Sequence, residues 1–348
     1  MFERLAPEQH DTLDEIPEPA ENPRFVGHAQ AAEHLVTAYR AGKLPHALIL
    51  AGPQGIGKAT LAFHFAHHLL RHGDSAASPE ALASPDPASS LFRQVASGAH
   101  PGVLHLTRPL NDKTKNFKSA VTVDEVRKVG RFLSMTAHDG GWRIVIVDPA
   151  DDMNVNAANA LLKSLEEPPG RTMFILVAHS LGALLPTIRS RCQTVRLQPL
   201  AREEVETVLD GFDLAFPTDP VSRSALLERA AGSPRNAVLL QQYGGVDIAE
   251  ALEGASRQRD ITAWHKIADA VAGRDQAIAF DLFNRHALDM LANAAVEAAG
   301  ANALGQAKLL SDTWQEARDA ISDAETYNLD KKQHALIMIE RLNAAMRM

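Results

Sequence analysis

Cysteine is all but absent. Cys192 stands alone among 348 residues, which excludes an internal disulfide and any metal site made of thiolates only. No apolar run approaches the roughly 18 residues that a membrane-spanning helix needs. The opening stretch, Met1 to Asn22, has neither the basic start nor the apolar centre of a secretion signal. These absences lead to the expectation of a cytoplasmic protein with no membrane partner. Aromatic residues are sparse at 5%, and Trp142, Trp264 and Trp314 are scattered, as core positions are and stacking platforms are not. What is present is ordinary globular material, since 45% apolar and 22% charged residues exclude wholesale disorder. The length predicts two or three domains.

The formal charge of −8 is unevenly spread: Met1 to Asn22 nets −6, residues 23–198 net +6 and residues 199–348 net −8. The acidic opening holds Pro17 and Pro19 and few large apolar residues, so residues 1–22 are expected to form a disordered tail. In the basic middle, Arg108, Lys113, Lys115 and Lys118 gather on one expected loop, where they read as a solvated surface or as a phosphate contact. The acidity of residues 199–348 argues against a nucleic-acid face there.

Residues 23–198 alternate short apolar runs with amphipathic segments, the pattern of an α/β parallel sheet with flanking helices. Ala47 to Ala51, Ile144 to Val147 and Phe174 to Val177 read as buried strands. Leu61, Phe65 and Leu69 recur at helical spacing after the first run. Residues 73–90, rich in Ser, Ala and Pro, read as a flexible insertion. Beyond Leu200 the spacing is helical throughout. It predicts a small helical domain over 199–245 and a larger one over 246–348.

Gly52-Pro53-Gln54-Gly55-Ile56-Gly57-Lys58 fits G-x-x-x-x-G-K, directly after a strand and before a helix. Glycines there let backbone N–H groups wrap phosphates, the lysine reaches the terminal ones, and the helix N-terminus adds partial positive charge. The next residue should be Ser or Thr, whose hydroxyl ligates Mg²⁺, yet it is Ala59. Thr60 lies one position on, turned about 100° round the helix. Asp148, closing the second strand, suits the acid that holds the metal through water. Pro149 follows where an ATPase carries a second acid, and Asp151 and Asp152 sit off the strand end. Nucleotide binding is expected and hydrolysis is not. Whether ATP or ADP occupies the loop, and whether Mg²⁺ accompanies it, is left open.

Other constellations read more plainly. His64, His67, His68 and His72 include i,i+4 pairs, but no thiol or carboxylate cluster completes a metal site. Glu166-Glu167 before Pro168-Pro169 marks a helix end rather than a catalytic pair. Cys192 reads as a buried structural thiol. Arg191, at the end of a short helix after the third strand, could reach beyond its own domain.

Asn159 to Pro169 (NALLKSLEEPP), followed by Ser190-Arg191-Cys192, resembles the clamp-loader branch of the AAA+ proteins. Together with His46-Ala47-Leu48 and the departure at Pro149, it is similar to the delta-prime subunits of bacterial DNA polymerase III. The resemblance covers residues 23–240, and beyond 247 it rests only on length and helical character. It implies a RecA-like nucleotide-binding domain over 23–198, a helical lid over 199–245 and an oligomerising collar over 246–348. It also implies a rigid, non-hydrolysing subunit whose Arg191 acts in trans as an arginine finger on the ATP site of a neighbouring gamma/tau subunit. The implied nucleotide contacts are Val26 and Gly27 beside adenine, Gly52, Gly55, Gly57, Lys58, Ala59 and Thr60 around the phosphates, Asp148, and Arg235 in the lid. Partners implied are gamma/tau and delta subunits, the sliding clamp and primed DNA. Many subunits of this branch bind zinc through four cysteines after the phosphate-loop helix. Residues 73–90 have none, so no zinc is expected. The polar sensor at the end of the third strand falls on Ala178. An active gamma/tau-like ATPase motor is the alternative, opposed by Ala59 and Pro149. A small-molecule kinase would leave Ser190-Arg191-Cys192 unexplained.

Overall fold

The computed structural model describes residues 3–111, 113, 116–134, 141–273, 276–327 and 329–347, so Lys115 of the basic cluster lies outside the described residues. The chain divides into two compact units, Met1–Ala215 with Ala231–Arg235, and Phe216–Ala230 with Asn236–Met348.

The first unit is built on a five-stranded sheet: β1 (Ala47–Ala51), β2 (Val103–Leu106), β3 (Arg143–Val147), β4 (Thr172–Ala178) and β5 (Gln193–Arg196), in the order β2-β3-β4-β1-β5. Every pairing is parallel, with Ile49 opposite Leu176 and Val145 opposite Phe174. Side chains alternate faces along a strand. Leu48, Leu50, Ile144, Ile146 and Ile175 pack on one side with α1 (Ala29–Arg40) and α2 (Lys58–Arg71). Ile49, Val145, Val147, Phe174 and Leu176 pack on the other with α4 (Val123–Ser134) and α5 (Val155–Glu166). Both faces of the three central strands are covered, so β1, β3 beyond Arg143 and β4 beyond Thr172 are uninterrupted apolar runs, whereas the edge strand β5 buries only Val195. Between them lie the short α3 (Ser90–Ala96) and α6 (Pro186–Arg189), and α7 (Arg202–Leu209) follows.

Two expectations change. Residues 3–22 are folded rather than a disordered tail, with Ala6, Leu13, Glu18 and Glu21 buried. Carboxylates that composition marks as solvating serve there as acceptors for the segment's own backbone and for Arg4. The 73–90 insertion is likewise anchored: Ser78 is buried against the ring of His68 at 2.7 Å, and Leu82 packs on the core.

The second unit is helical: α8 (Pro220–Ala230), most of α9 (Pro234–Gln242), α10 (Gly245–Arg257), α11 (Ile261–Val271), α12 (Ala277–Gly300), α13 (Leu304–Tyr327) and α14 (Lys331–Met346). Leu252, Phe283, Leu291, Ile339 and Leu342 form its core. Two polar links fix the packing there, His334 with Asn284 Oδ1 at 3.0 Å and Asn343 Nδ2 donating to Ala255 O at 2.9 Å. The residues expected as a lid are divided between the units, 199–215 with Ala231–Arg235 in the first, Phe216–Ala230 and 236–245 in the second. No described helix is long and apolar enough to cross a membrane.

Candidate phosphate-binding site

The loop between β1 and α2 closes on the end of the sheet. Gly52 N donates to Ala178 O at 3.2 Å, and a Cβ on Gly52 would lie 2.4 Å from Leu197 O. Gly55 and Gly57 have φ of 76° and 96°, the left-handed region that glycine alone enters freely. Gly57 is the N-cap of α2 and supplies no side-chain acceptor, which leaves the N–H groups of the first turn for an outside anion. Lys58 is buried, and Nζ donates to Gly52 O at 2.7 Å and to Pro53 O. Burial pulls its pKa down to about 8 against the opposing pull of Asp148 and Asp151. The uncapped turn, the two left-handed glycines and the desolvated cation together fit a polyphosphate. The magnesium shell fits less well, because Ala59 brings no hydroxyl to the position beside Lys58.

Asp148 follows β3 directly, and its N–H donates to Leu106 O at 2.9 Å. Surrounding protein desolvates the carboxyl and raises its pKa to about 7; Asp11 adds to the rise and Lys58 opposes it. The two acids beyond Pro149 are committed elsewhere. Asp151 accepts from His179 N at 3.0 Å and Ser180 N at 2.9 Å, pinning the end of β4, while Asp152 pairs with Arg108 at 2.5 Å. Ala178 ends β4 as a fully buried methyl. Next to it stands His179, kept neutral because burial first and then the Lys58 charge push its pKa to about 4. Sequence reasoning overlooked His179 and the role of Asp151. Their only signal was a polar residue directly after an apolar run and an acid four places past a strand.

Distant segments complete the site. His28 Nε2 meets Ile56 O at 2.7 Å, which brings Val26 and Gly27 to the loop. Gly27 has φ 77°, and a Cβ there would strike Leu200 Cδ2 at 2.4 Å. Ser233 Oγ donates to Gln54 O at 3.0 Å, and Arg235 at the start of α9 lies so close that a Cβ on Gly55 would sit 2.4 Å from its own Cβ. Thr60 follows Ala59 within the first turn of α2.

Arg191 makes its contacts apart from this cluster. It follows α6, donates to Thr187 O at 3.0 Å and to Glu166 Oε1 at 2.5 Å, and keeps 35% of its side chain exposed. Cys192, expected buried, is half-buried, and desolvation pushes its thiol up to about 11.

A parallel sheet in which β4 separates the phosphate-loop strand from the Asp148 strand, with a basic residue from a following helical segment over the loop, defines a P-loop protein of the RecA-like AAA+ class. Residues 27–201, half of the chain, match the family model described as DNA polymerase III, delta subunit, and the chain belongs to that family. It is 37% identical over 216 residues to the DNA polymerase III subunit delta' of Pseudomonas aeruginosa, covering 61% of each chain. It is 34% identical over 220 residues to the Escherichia coli subunit delta', covering 63% of this chain and 61% of that one. The matched stretch thus spans about 61% of the length of these relatives. A gamma subunit-related protein of Thermotoga maritima aligns over 92% of this chain and all of its own, at TM-score 0.47 and 18% identity.

Proposed function

We propose that this chain is a delta-prime subunit of a DNA polymerase III clamp loader, one that holds a nucleotide without hydrolysing it and completes a neighbour's ATP site. The observation that carries this reading is the separation of two halves of an ATPase. The phosphate cradle of Gly52, Gly55, Gly57 and Lys58 lacks a metal-ligating hydroxyl at Ala59 and a free acid after Asp148, while the partly exposed Arg191 makes its contacts apart from it. ATP or ADP would be held by the loop amides, by Lys58 and by Arg235, with Val26 and Gly27 beside the base. Mg²⁺, if bound, would rely on Asp148 through water. Arg191 stabilises the charge developing on the γ-phosphate of an adjacent gamma/tau subunit, a role worth roughly 10³ to 10⁵ in rate at that site.

In the same reading residues 246–348 serve as the collar that joins gamma/tau and delta, and the assembled cytoplasmic complex loads the sliding clamp onto primed DNA. Clamp- and DNA-stimulated ATPase of a reconstituted loader tests it. Arg191→Ala should leave assembly intact and remove a large part of turnover, with the isolated chain silent. Unchanged turnover, or hydrolysis by the isolated chain, overturns the reading.

A further inference from the structure

Residues 3–22 reach the phosphate site through Asp11. Arg235 Nη2 donates to Asp11 O at 2.5 Å, and Nη1 lies 3.5 Å from Asp11 Oδ2. The remaining donor, Arg235 Nε, is buried with no hydrogen-bond partner among the described residues. Asp11 also lies within electrostatic reach of Asp148, His105 and His179.

The segment that carries Asp11 is built. Glu21 accepts from Leu5 N at 2.6 Å, Ala6 N at 2.9 Å and Glu18 N at 3.0 Å. Arg4 bridges to Glu18 at 3.2 Å and donates to Leu13 O at 2.9 Å and Ile16 O at 3.1 Å. Its far end is tied down where Asn22 O meets His64 Nε2 at 2.9 Å. The segment is thus held together by its own polar contacts.

We propose that this acidic segment is an internal occupant of the phosphate site, in which Asp11 takes the guanidinium that a nucleotide phosphate would otherwise take. Nucleotide and segment then compete for Arg235, both being anionic, and binding requires the segment to leave. The apparent affinity is the intrinsic one reduced by the fraction of chains whose segment is displaced. The proposal rests on the reading that the loop binds nucleotide.

Fluorescent mant-ADP titrated into the full-length wild type, Asp11→Ala and Glu21→Gln tests it, with amide hydrogen exchange of residues 3–22 as second readout. Glu21→Gln loosens the segment from within and touches no nucleotide contact, so it serves should Asp11→Ala fold poorly. The expected result is binding tightened about tenfold or more in each variant, and exchange at Leu5 and Ala6 in the wild type accelerated by saturating ADP. Equal or weaker binding in the variants, with wild-type exchange unmoved by ADP, overturns the occupant while leaving nucleotide binding intact. Absence of binding by all three chains at millimolar mant-ADP overturns both.

Discussion

Replacing Asp148 by Asn should stabilise the protein above neutral pH and change it much less at acid pH. The Asp148 carboxyl has its pKa raised from 3.8 to about 7, first by desolvation and then by Asp11. Between those values the native state holds a proton that the unfolded chain has released. Wild-type stability therefore falls as pH rises through this window, and the full penalty is present above about 7. A shift of about 3 units corresponds to about 4 kcal/mol at most, and the carboxyl's residual surface trims this to about 2–4 kcal/mol. Asparagine keeps the volume and cannot ionise, so the variant should gain that amount. At roughly 2–4 °C per kcal/mol for a unit of this size, the melting temperature should rise by roughly 4–16 °C at pH 7.5 and by about a quarter of that at pH 4.5. Staying below pH 8 keeps the Lys58 titration, centred at about 8, largely outside the comparison. Thermal melts of both chains by circular dichroism across this range decide the matter. A difference that is flat with pH, or a variant less stable at pH 7.5, would refute the assignment of Asp148 as a desolvated carboxyl.

Two further outcomes follow from the same loop. Gly55→Val places a branched side chain at φ 76° and its Cβ 2.4 Å from Arg235 Cβ and 2.5 Å from Ser233 Oγ. Left-handed strain and overpacking together cost about 2–5 kcal/mol, so a wild-type melting temperature would show that the loop does not close against Arg235. Lys58→Ala removes a charged donor worth about 1.5–3 kcal/mol and should weaken mant-ADP retention by about 10- to 150-fold. Loader ATPase should persist in that variant, and its collapse would place hydrolysis in this subunit.

The sheet could be read in advance because both of its faces are covered. Leu48 and Ile49 point to opposite sides and both are buried, so β1 appears in sequence as an unbroken apolar run. The phosphate loop was legible because Gly55 and Gly57 act through backbone geometry and Lys58 through its ammonium, all within seven consecutive residues. Arg191 was found through its tripeptide, although its pairing with Glu166, 25 residues earlier, was not. Residues 3–22 were misread because a run of acids and prolines has the composition of a solvated tail. Composition cannot reveal that Glu21 turns back to accept from Leu5 and Ala6, 16 and 15 residues away. His179 and Asp151 were passed over because each looks ordinary alone, and only the closing of β4 beside β3 joins them.

Whatever depends on neighbours in the chain was therefore set by the sequence alone: the apolar strands, the uncapped helix start, the glycines that allow the loop to turn and the missing hydroxyl at Ala59. Tertiary structure alone decided which distant groups converge on that loop. Arg235 over Gly55, Asp11 against Arg235 and the desolvation of Asp148 each join positions far apart in sequence. Such pairings arise from the burial and electrostatics of the folded chain, which no local pattern of residues encodes.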